Sequence, residues 1–500
     1  MHQKPGIAAC LCEVPGADGA DLKERTSGAD WLTVRADRCG DLDPDWLAAH
    51  FEGGLIYALP RPETAGERQT WLERIRWAVR CYDLVELSAH GDLVPDVLDA
   101  VPAGKRMISW HGPLDQRSKI EEVMRTEARF YRFTGDAGCA ADAIAPLDLL
   151  VALGRDDVIA YAHGAAGFWS RILSVYAGSP LIFAEFDDEV SAHGAPSLSR
   201  LVRDFDLVRA DRPRDLHGII GCPVLHSGSP RVHNEGYRTL GRKALYLPIH
   251  AASFDECWRE IAGSRVLEQM GMRFKGFTVV SPHKEAAASH FPSRCAIVGK
   301  ASSCNALTLG ANGWEAATTD ADSVLQCLGD AGIVVAGKKV CVIGCGGAGR
   351  SMAAALQGAG GRVTMVNRGK RRGRLAQHLL GLPFVPLAAF SAEDAEIVVH
   401  ATPLGRDPDD PPPFDMATLS PDSVIVDLVY GSRTTPLVAE ADRLGCDVID
   451  GKAVLAVQAA RQFELMTGEK LPTEAGMNTG IRSGMCDGEP AGLAGAAVIG

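Results

Sequence analysis

The sequence predicts an α/β protein that opens with an N-terminal (β/α)8 barrel and continues into two further α/β regions. Three observations support this fold class. Eight short apolar runs alternate with helical patterns before residue 203, as parallel strands joined by crossover helices require. A charged, proline-containing stretch follows at residues 203–218. Beyond it lie a new strand–helix unit and, at residues 344–349, a glycine-rich loop between a strand and a helix.

The bulk composition is that of an ordinary globular chain, with 500 residues, 46% hydrophobic and 23% charged. The net charge of −12 comes without a basic block, which argues against nucleic acid or a membrane surface and favours a small-molecule substrate. The 14 cysteines lack CxxC and zinc-ligand spacing, so we expect reduced thiols and no metal site. No targeting signal or membrane-spanning run is visible, and we expect a cytoplasmic protein.

The predicted barrel occupies residues 1–205 and its strands lie in eight apolar runs. These are GIAACLCEV, WLTVRAD, GGLIYALP, YDLVELS, KRMISWHG, EARFYRFTG, DDVIAYAHG and SPLIFAEF. Residues 206–217 are predicted to form a linker. Residues 473–500, rich in Gly, Ala and polar residues without periodicity, are predicted to be a disordered tail.

The glycine-rich loop predicts a dinucleotide site. An apolar strand runs into the loop, a helix of small residues follows, and a second strand spans residues 362–366. Glycines there permit a tight turn and let the backbone approach a pyrophosphate at the positive end of the helix. A glycine pattern alone is weak, but one flanked by both strands and the helix is specific. The predicted cofactor-binding residues of the loop are Gly344, Gly346, Gly347, Ala348 and Gly349.

The end of the second strand indicates which dinucleotide binds. A ribose 2′-hydroxyl calls for Asp or Glu at this point, but the chain has Asn367 and Arg368, followed by three cations at 370–372. Cations suit a 2′-phosphate, so the sequence favours NADP. Exposed Arg and Lys residues are also the ordinary composition of a solvated turn.

Four segments ahead of this loop carry a family resemblance. They are HGIIGCPVLHSGSPRVHNEGYRTLG, GFTVVSPHKEAA, SSCNALTL and ATTDADS, and HATPLG, VDLVYG and DGKAVLAVQAARQFELMTG follow later. In this order they closely resemble shikimate dehydrogenase. The resemblance implies a substrate-binding domain at 218–325 and a Rossmann-like NADP-binding domain at 326–472, whose C-terminal helices return to the substrate domain. It implies NADP-dependent reversible reduction of 3-dehydroshikimate to shikimate, a step of chorismate and aromatic amino-acid biosynthesis.

Hydride transfer to a ketone needs a proton donor, and the reverse oxidation needs a base; one residue serves both directions. The resemblance gives this catalytic role to Lys284, in the Pro-His-Lys segment, and makes Asp320 the carboxylate that holds it. The alternatives are a first-turn helix lysine for Lys284 and a helix N-cap for Asp320.

The remaining dehydrogenase assignments are implied by the resemblance. They are Ser227 and Ser229 for the substrate carboxylate, Asn305, Tyr430, Gln458 and Gln462 at or beside the ring hydroxyls, and Thr402, Leu428 and Gly451 near the nicotinamide. The two glutamines are four residues apart, which places them on one helix face. Two departures from the family pattern, Val280 in place of a threonine and Thr318-Thr319 ahead of the aspartate, leave shikimate against quinate preference open.

The barrel resembles type I 3-dehydroquinate dehydratase, as in the plant-type fusion with shikimate dehydrogenase. Arg35, His111 and Arg171 match its substrate arginine, catalytic histidine and carboxylate-binding arginine. That family forms an imine through a lysine on strand six, where this chain has Arg132, and a guanidinium stays protonated. A family glutamine is replaced by Ala195, and a family loop is reduced to PRPETAG. We therefore expect a folded barrel that is inactive as an imine-forming dehydratase.

Three alternatives stay open at this point. The chain could keep both activities as a bifunctional enzyme. It could be a quinate/shikimate dehydrogenase. It could also be a catalytically silent sensor of pathway metabolites, although such a sensor would be free to lose Lys284, Asp320 or the glycine loop, and all are present.

Overall fold

The computed structural model describes residues 5–16, 19–186, 194–207, 211–293, 295–407, 409–431, 433–473 and 475. The chain forms two compact units, residues 1–283 and 284–500. Residues 208–210 of the predicted linker, and the predicted tail apart from residues 473 and 475, lie outside the described residues. Within the described ranges, no helix combines the length and the apolarity that crossing a bilayer requires.

The first unit begins with an eight-stranded parallel sheet in the order β7-β6-β5-β4-β3-β2-β1-β8. Its strands are β1 Gly6–Leu11, β2 Trp31–Arg35, β3 Gly54–Ala58, β4 Leu84–Ser88, β5 Arg106–His111, β6 Phe130–Asp136, β7 Val158–His163 and β8 Leu181–Glu185. Because β1 pairs in parallel with both β2 and β8, the first strand lies between the second and the last, as a barrel requires. No ladder joins β7 to β8 in the part of the chain described. All eight predicted strands, and with them the barrel, are confirmed.

A helix follows each barrel strand and packs its apolar face on the sheet. These helices are α1 Ala20–Arg25, α2 Pro44–His50, α3 Arg68–Cys81, α4 Pro95–Ala100, α5 Arg117–Val123, α6 Ala140–Leu153, α7 Phe168–Ser174 and α8 Leu198–Arg203. Local sequence sets their ends: α2 starts at a proline after Asp43, whose side chain accepts from Asp45 N. Inward-facing Ala8, Ile56 and Met107 are fully buried, so the barrel interior is a packed core.

The same unit continues past the barrel with a small parallel sheet. Its strands are β9 Asp215–Gly221, β10 Ala244–His250 and β11 Arg273–Val279, and its helices are α9 Ser229–Thr239, α10 Phe254–Ile261 and α11 Arg265–Gln269. Strand β9 pairs with both neighbours, and all of its residues after Asp215 are buried, as is typical of a parallel strand covered on both faces. Trp169 of the barrel contacts Phe274 of this sheet, with ring centroids 6.3 Å apart.

The second unit contains a hairpin and a six-stranded parallel sheet. The hairpin strands are β12 Ala306–Gly310 and β13 Gly313–Ala317; the sheet strands are β14 Lys339–Ile343, β15 Arg362–Asn367, β16 Phe384–Pro386, β17 Ile397–His400, β18 Val424–Asp427 and β19 Asp447–Ile449. The sheet order β16-β15-β14-β17-β18-β19 is that of a dinucleotide-binding Rossmann fold, in which ligands bind where the order reverses, between β14 and β17. The predicted Rossmann-like fold is confirmed.

The following α-helices accompany these strands in the described part of the second unit. They are α12 Lys284–His290, α13 Ala296–Ala301, α14 Asp320–Asp330, α15 Gly347–Gly358, α16 Lys370–Leu380, α17 Pro436–Leu444 and α18 Gly451–Thr467. The last helix packs against α14 and β12, so the end of the described chain returns to the start of this unit. This return brings residues far apart in sequence to one place.

Candidate active site

An ion pair joins the first residues of two helices of the second unit. Helix α12 begins at Lys284 and α14 begins at Asp320. Lys284 Nζ donates to Asp320 Oδ2 at 2.6 Å. The lysine side chain is 17% exposed and the aspartate 2%, so the ammonium reaches the surface while its carboxylate does not. The structure thus brings together the two residues that the resemblance implies as catalytic.

Three polar side chains hold the other carboxylate oxygen and its surroundings. Asp320 Oδ1 accepts from Asn305 Nδ2 at 2.9 Å and from Gln458 Nε2 at 3.0 Å. Asn305 Oδ1 in turn accepts from Thr319 N at 2.7 Å, and Gln462 Nε2 donates to Thr319 Oγ1 at 3.2 Å. The two glutamines lie on one face of α18, as their spacing predicts. Because both oxygens have donors, three in all, the carboxylate is fixed in position before any substrate arrives.

Lys284 lies directly beside the glycine loop. A Cβ added to Gly347 would lie 2.3 Å from Ser303 Oγ and 3.2 Å from Lys284 Cβ, so only glycine permits this approach. Cys304 N also donates to Lys284 O at 3.1 Å, which anchors the lysine backbone to the chain before β12. A proton-carrying group and a predicted nucleotide loop are therefore neighbours.

The loop itself has the geometry that a dinucleotide requires. Gly344 has φ +114°, and a Cβ there would lie 2.5 Å from Ala401 O. A Cβ on Gly349 would lie 1.9 Å from Gly344 O, so the helix start packs against the loop through a glycine. Helix α15 begins at Gly347 without a side-chain cap, which leaves its first N–H groups for an anion. Ala348 is the second residue of this helix.

The far end of β15 fits a 2′-phosphate. Asn367 Oδ1 accepts from Cys345 N at 3.1 Å and Nδ2 donates to Gly369 O at 2.9 Å, so the asparagine ties the glycine loop to the following turn. Arg368 and the cations at 370–372 are exposed, and none forms an ion pair with a described residue. Together with the loop, these residues fit an NADP molecule.

Sequence reasoning missed a buried pair at the ends of two neighbouring strands. His400 and Asp427 are both fully buried, and His400 Nδ1 lies 2.9 Å from Asp427 Oδ1. They are register partners in the parallel ladder of β17 and β18. HATPLG and VDLVYG each show a polar residue at the end of an apolar run, and this was the available signal.

The other residues assigned to the nicotinamide side line the same loops. Leu428 N donates to His400 O at 3.0 Å, and a Cβ on Gly451 would lie 2.4 Å from Val429 O.

Tyr430 is predicted to lie at or beside the hydroxyls of the substrate ring. Its side chain is 37% exposed and forms no hydrogen bond with a described residue. The structure therefore does not join Tyr430 to the Lys284 cluster.

Ser227 and Ser229 belong to the first unit, at the start of α9. Ser227 Oγ donates to Ser229 Oγ at 3.2 Å and accepts from Ser229 N at 3.2 Å. Both are partly exposed, and their role toward a substrate carboxylate stays a prediction. Val280, also in this unit, covers Gly221: a Cβ there would lie 2.3 Å from Val280 Cγ2. The position thus supplies packing and no hydroxyl.

The barrel has a cavity of about 590 Å³, lined by Arg35, Arg132 and Arg171 among others. The structure brings these three predicted residues together. His111 lies beside this cavity. The centroid of its ring is 5.7 Å from the ring centroid of His163, which lines the cavity. His111 Nδ1 also lies 3.1 Å from Thr134 Oγ1. No lysine is among the described residues that line this cavity or its neighbour of about 270 Å³.

Arg132 is held as a cation. It forms an ion pair with Glu86 of β4, and its guanidinium lies over the Phe183 ring at 4.8 Å from the centroid. Burial opposes its charge, but Glu86, Tyr161 and Cys10 outweigh burial, and the pKa of Arg132 lies above its ordinary value. It cannot supply a neutral amine to a ketone.

Arg171 is buried, and no acidic side chain among the described residues lies at contact distance from it. It is 2% exposed, and its guanidinium lies over the Tyr161 ring at 3.9 Å. Burial lowers the pKa of Arg171, and burial with the nearby Arg171 charge lowers the pKa of His163 to about 4. Burial also raises the pKa of the Cys10 thiol to about 12. The described lining of the cavity therefore combines cations and a neutral imidazole with three carboxylates, those of Glu13, Asp136 and Glu185, and it contains no lysine amine.

Known protein families match both the barrel and the dehydrogenase part of the chain. Residues 219–307 match the shikimate dehydrogenase substrate binding domain, and residues 61–211 match type I 3-dehydroquinase. A shikimate dehydrogenase (NADP(+)) of Acidiphilium cryptum is 36% identical over 255 residues, 51% of this chain and 90% of that protein. The chloroplastic bifunctional 3-dehydroquinate dehydratase/shikimate dehydrogenase of Arabidopsis thaliana is 27% identical over 507 residues, 93% of this chain and 83% of that protein.

Among solved structures, dehydroquinate dehydratase and shikimate dehydrogenase from S. pombe AroM aligns with 96% of this chain and 99% of that chain, at 19% identity and a TM-score of 0.44. The sequence matches carry the assignment, since the relative from Acidiphilium cryptum is covered almost completely. The chain belongs to the shikimate dehydrogenase family, in the arrangement that places a type I 3-dehydroquinase-like barrel ahead of the dehydrogenase.

Proposed function

We propose that this protein is an NADP-dependent shikimate dehydrogenase, which reversibly reduces 3-dehydroshikimate to shikimate. The observation that carries the proposal is the contact of Lys284 Nζ with the buried Asp320 carboxylate beside the glycine loop. The proposed modules are a barrel to residue 205, a linker at 206–217, a substrate domain at 218–325 and an NADP-binding domain at 326–472. The last three residues of that linker, 215–217, already belong to β9, so the linker ends earlier than the sequence predicts.

Bound NADPH supplies the hydride, which goes to the carbonyl carbon of the substrate. Lys284 gives a proton from its ammonium group to the carbonyl oxygen, so that the hydride on carbon and the proton on oxygen together convert the ketone into the alcohol. In the reverse direction the neutral amine takes the hydroxyl proton. Asp320 holds the lysine at the reacting oxygen in both directions of the reaction. Asn305 and Gln458 donate to the Asp320 carboxylate and prevent it from rotating. We propose Ser227 and Ser229 as donors to the substrate carboxylate.

For the barrel we propose loss of imine chemistry. An imine needs a neutral primary amine within reach of the ketone. Arg132 occupies the strand-six position in register with Ser109 and Ile159, and its pairing with Glu86 keeps it charged. The barrel lysines that the structure describes are exposed or bonded away from the cavity. Lys105 Nζ donates to Val79 O and Tyr82 O, and Lys119 pairs with Glu122.

A bifunctional enzyme is the second candidate. The observation that favours it is the alignment with the Arabidopsis thaliana bifunctional protein over 93% of this chain. Arg35, His111 and Arg171 also remain in or beside the barrel cavity. Such an enzyme would have to remove the proton next to the ketone without an imine.

One set of assays separates these proposals. Purified full-length protein is given shikimate or quinate with NADP⁺ or NAD⁺, and nicotinamide reduction is followed optically. We expect reduction with shikimate and NADP⁺, and an Arg368→Gln variant with a higher KM for NADP⁺ and an unchanged KM for NAD⁺. An absence of reduction with every pair would overturn the dehydrogenase proposal.

The same protein is then given 3-dehydroquinate, and formation of the conjugated enone is followed. We expect no enone above the uncatalysed rate. Rapid enone formation that is lost in an Arg171→Gln variant would overturn the proposal for the barrel and establish the bifunctional enzyme.

A further inference from the structure

The last helix of the barrel, α8, is bonded to the loop that carries Ser227 and Ser229. Arg200 of α8 donates from Nη1 to Leu225 O at 2.8 Å, two residues before Ser227. Arg200 belongs to the barrel, whereas Leu225 follows β9 of the small parallel sheet. A barrel side chain therefore holds the backbone of the loop for which a carboxylate-binding role is predicted.

The carbonyl that Arg200 holds lies at the centre of a tight turn. Ser227 N donates to Val224 O at 3.0 Å, so Leu225 and His226 are the two central residues of a β-turn. The peptide group between two such residues can face in either of two opposite directions, which is the difference between type I and type II turns. Because its carbonyl is bonded to Arg200, this peptide group is fixed in one direction, and the chain continues to Ser227 along one path.

The guanidinium of Arg200 is itself fixed by the barrel. Its Nε donates to Asp204 Oδ2 at 3.1 Å, one turn further along α8, and the group lies over the Phe168 ring at 5.1 Å from the centroid. Both charged side chains are 8% exposed, so water competes little for their hydrogen bonds. Leu198 and Leu201 of the same helix are buried, and α8 packs on β8. The donor to the loop is therefore rigidly placed.

The end of α8 is also bonded to the helix that follows the loop. Asn234 of α9 donates from Nδ2 to Asp204 O at 3.0 Å and to Tyr246 O at 3.1 Å, and its Oδ1 accepts from Tyr246 N at 2.7 Å. Helix α9 begins at Ser229. One short segment of the barrel, residues 200–204, therefore holds the chain on both sides of the two serines.

We propose that Arg200 is a positioning residue which the barrel supplies to the dehydrogenase, and that it fixes the loop of Ser227 and Ser229 for a substrate carboxylate. The inference rests on the proposed function and deepens it. Arg200 acts through the backbone of Leu225 and needs no contact with the substrate. The barrel thereby contributes to substrate binding without any imine chemistry.

Kinetics of the full-length protein with shikimate and its methyl ester test the proposal at saturating NADP⁺. The ester keeps the ring hydroxyls but lacks the carboxylate charge, and its affinity is measured by its inhibition of shikimate oxidation. We expect Arg200→Met, which keeps contact with the Phe168 ring, to raise the KM for shikimate about 10-fold, the order of one charge-assisted hydrogen bond. The inhibition constant of the ester and kcat should stay the same. Arg200→Lys, which keeps a donor, should give an intermediate KM.

Arg212→Met is the matched control. Arg212 Nη2 also donates to a backbone carbonyl, that of Met270, at 2.7 Å. Met270 precedes β11, so it lies at the amino ends of the parallel strands, whereas the serine loop follows the carboxyl end of β9. The control substitution should change neither the KM for shikimate nor the inhibition constant of the ester.

A second substitution tests whether Arg200 acts through the loop. In a Ser227→Ala background, Arg200→Met should raise the KM for shikimate by a smaller factor than in the parent. Thermal unfolding of each variant checks that it is folded, and Arg200→Lys takes over both comparisons if Arg200→Met does not fold.

An unchanged KM for shikimate, equal weakening of shikimate and ester, or full additivity with Ser227→Ala would overturn the inference and leave the dehydrogenase proposal intact. A parent chain that does not oxidise shikimate would overturn both.

Discussion

The Lys284 site of the second unit and the arginine cavity of the barrel differ in how their cations are partnered. Lys284 meets one carboxylate, Asp320, which two further side chains hold from the other side. In the barrel, Arg132 is paired with Glu86, while Arg171 lies over the Tyr161 ring and has no ion pair with a described residue. A lysine can exchange its proton with a substrate and an arginine cannot. We therefore propose proton transfer in the second unit and charge without proton transfer in the barrel.

The two sites also differ in how completely their polar atoms are bonded. Every oxygen of Asp320 has a donor. The Nε atoms of Arg132 and Arg171 are buried and lack a hydrogen-bond partner among the described residues. A fully bonded site is rigid and already oriented for reaction, whereas an unbonded buried cation lowers stability until an anion binds. Substitutions in each unit should therefore act on different quantities.

The largest effect is expected for Lys284→Ala. Without the proton donor, kcat for shikimate oxidation should fall by about 10³-fold, the usual contribution of general acid–base catalysis. The KM for NADP⁺ should stay the same within error. Steady-state kinetics measures both constants, and Lys300→Ala, an exposed lysine of α13, is the matched control. A Lys284→Ala variant as fast as the parent would mean that another group moves the proton.

A smaller effect is expected for Gln458→Leu. Asp320 Oδ1 then has one donor instead of two, so the carboxylate is less firmly fixed and positions Lys284 less precisely. Loss of one hydrogen bond to a charged group corresponds to a fall in kcat of about 10-fold or somewhat more. Gln357→Leu, on the exposed side of α15, should leave kcat unchanged. Equal kcat values for the two variants would show that the Asp320 network does not serve catalysis.

In the barrel, Arg171→Met should raise stability. The substitution removes a buried charge that has no hydrogen-bonded partner at Nε and keeps contact with Tyr161. We expect a gain of about 1 kcal/mol, seen as a rise of a few degrees in Tm by calorimetry, with dehydrogenase kcat unchanged. Arg80→Met, at an exposed position of α3, should not shift Tm. A lower Tm for Arg171→Met would mean that the guanidinium is stabilising as it stands.

The smallest effect concerns pH. The pKa of His163 is lowered from 6.5 to about 4, mainly by burial. Below pH 6.5 the unfolded chain binds a proton that the folded barrel does not, so stability is lost as the pH falls from 6.5 toward 4. His163→Phe should reduce this loss by less than about 1 kcal/mol, since the ring is partly open to solvent. Tm profiles against pH measure it, and His378→Asn, an exposed histidine, should follow the parent.

Much of the fold followed from the sequence because it depends on local patterns. Apolar runs of strand length separated by helical patterns are short-range signals, and all eight barrel strands were found from them. The Lys284 and Asp320 contact came from family motifs rather than from spacing. Pattern alone could not show that α18 returns to place Gln458 on that aspartate.

The residues that sequence reasoning missed depend on register between strands. His400 and Asp427 meet because β17 and β18 pair with those residues in line, and a shift of one residue would separate them. The pairing of Arg132 with Glu86 depends in the same way on which barrel strands face each other across the cavity. Such cross-strand contacts are set by tertiary packing, which a single sequence does not display.

The central proposal is that Lys284 transfers a proton, while none of the barrel lysines that the structure describes lines the cavity where an imine would form. The most direct measurement is the intact mass of the full-length protein after incubation with 3-dehydroquinate and borohydride, in a preparation that oxidises shikimate with NADP⁺. We predict an unchanged mass for the parent and a mass gain of one reduced substrate for Arg132→Lys, which restores an amine on strand six. A stoichiometric gain in the parent, located on a barrel lysine, would contradict the account.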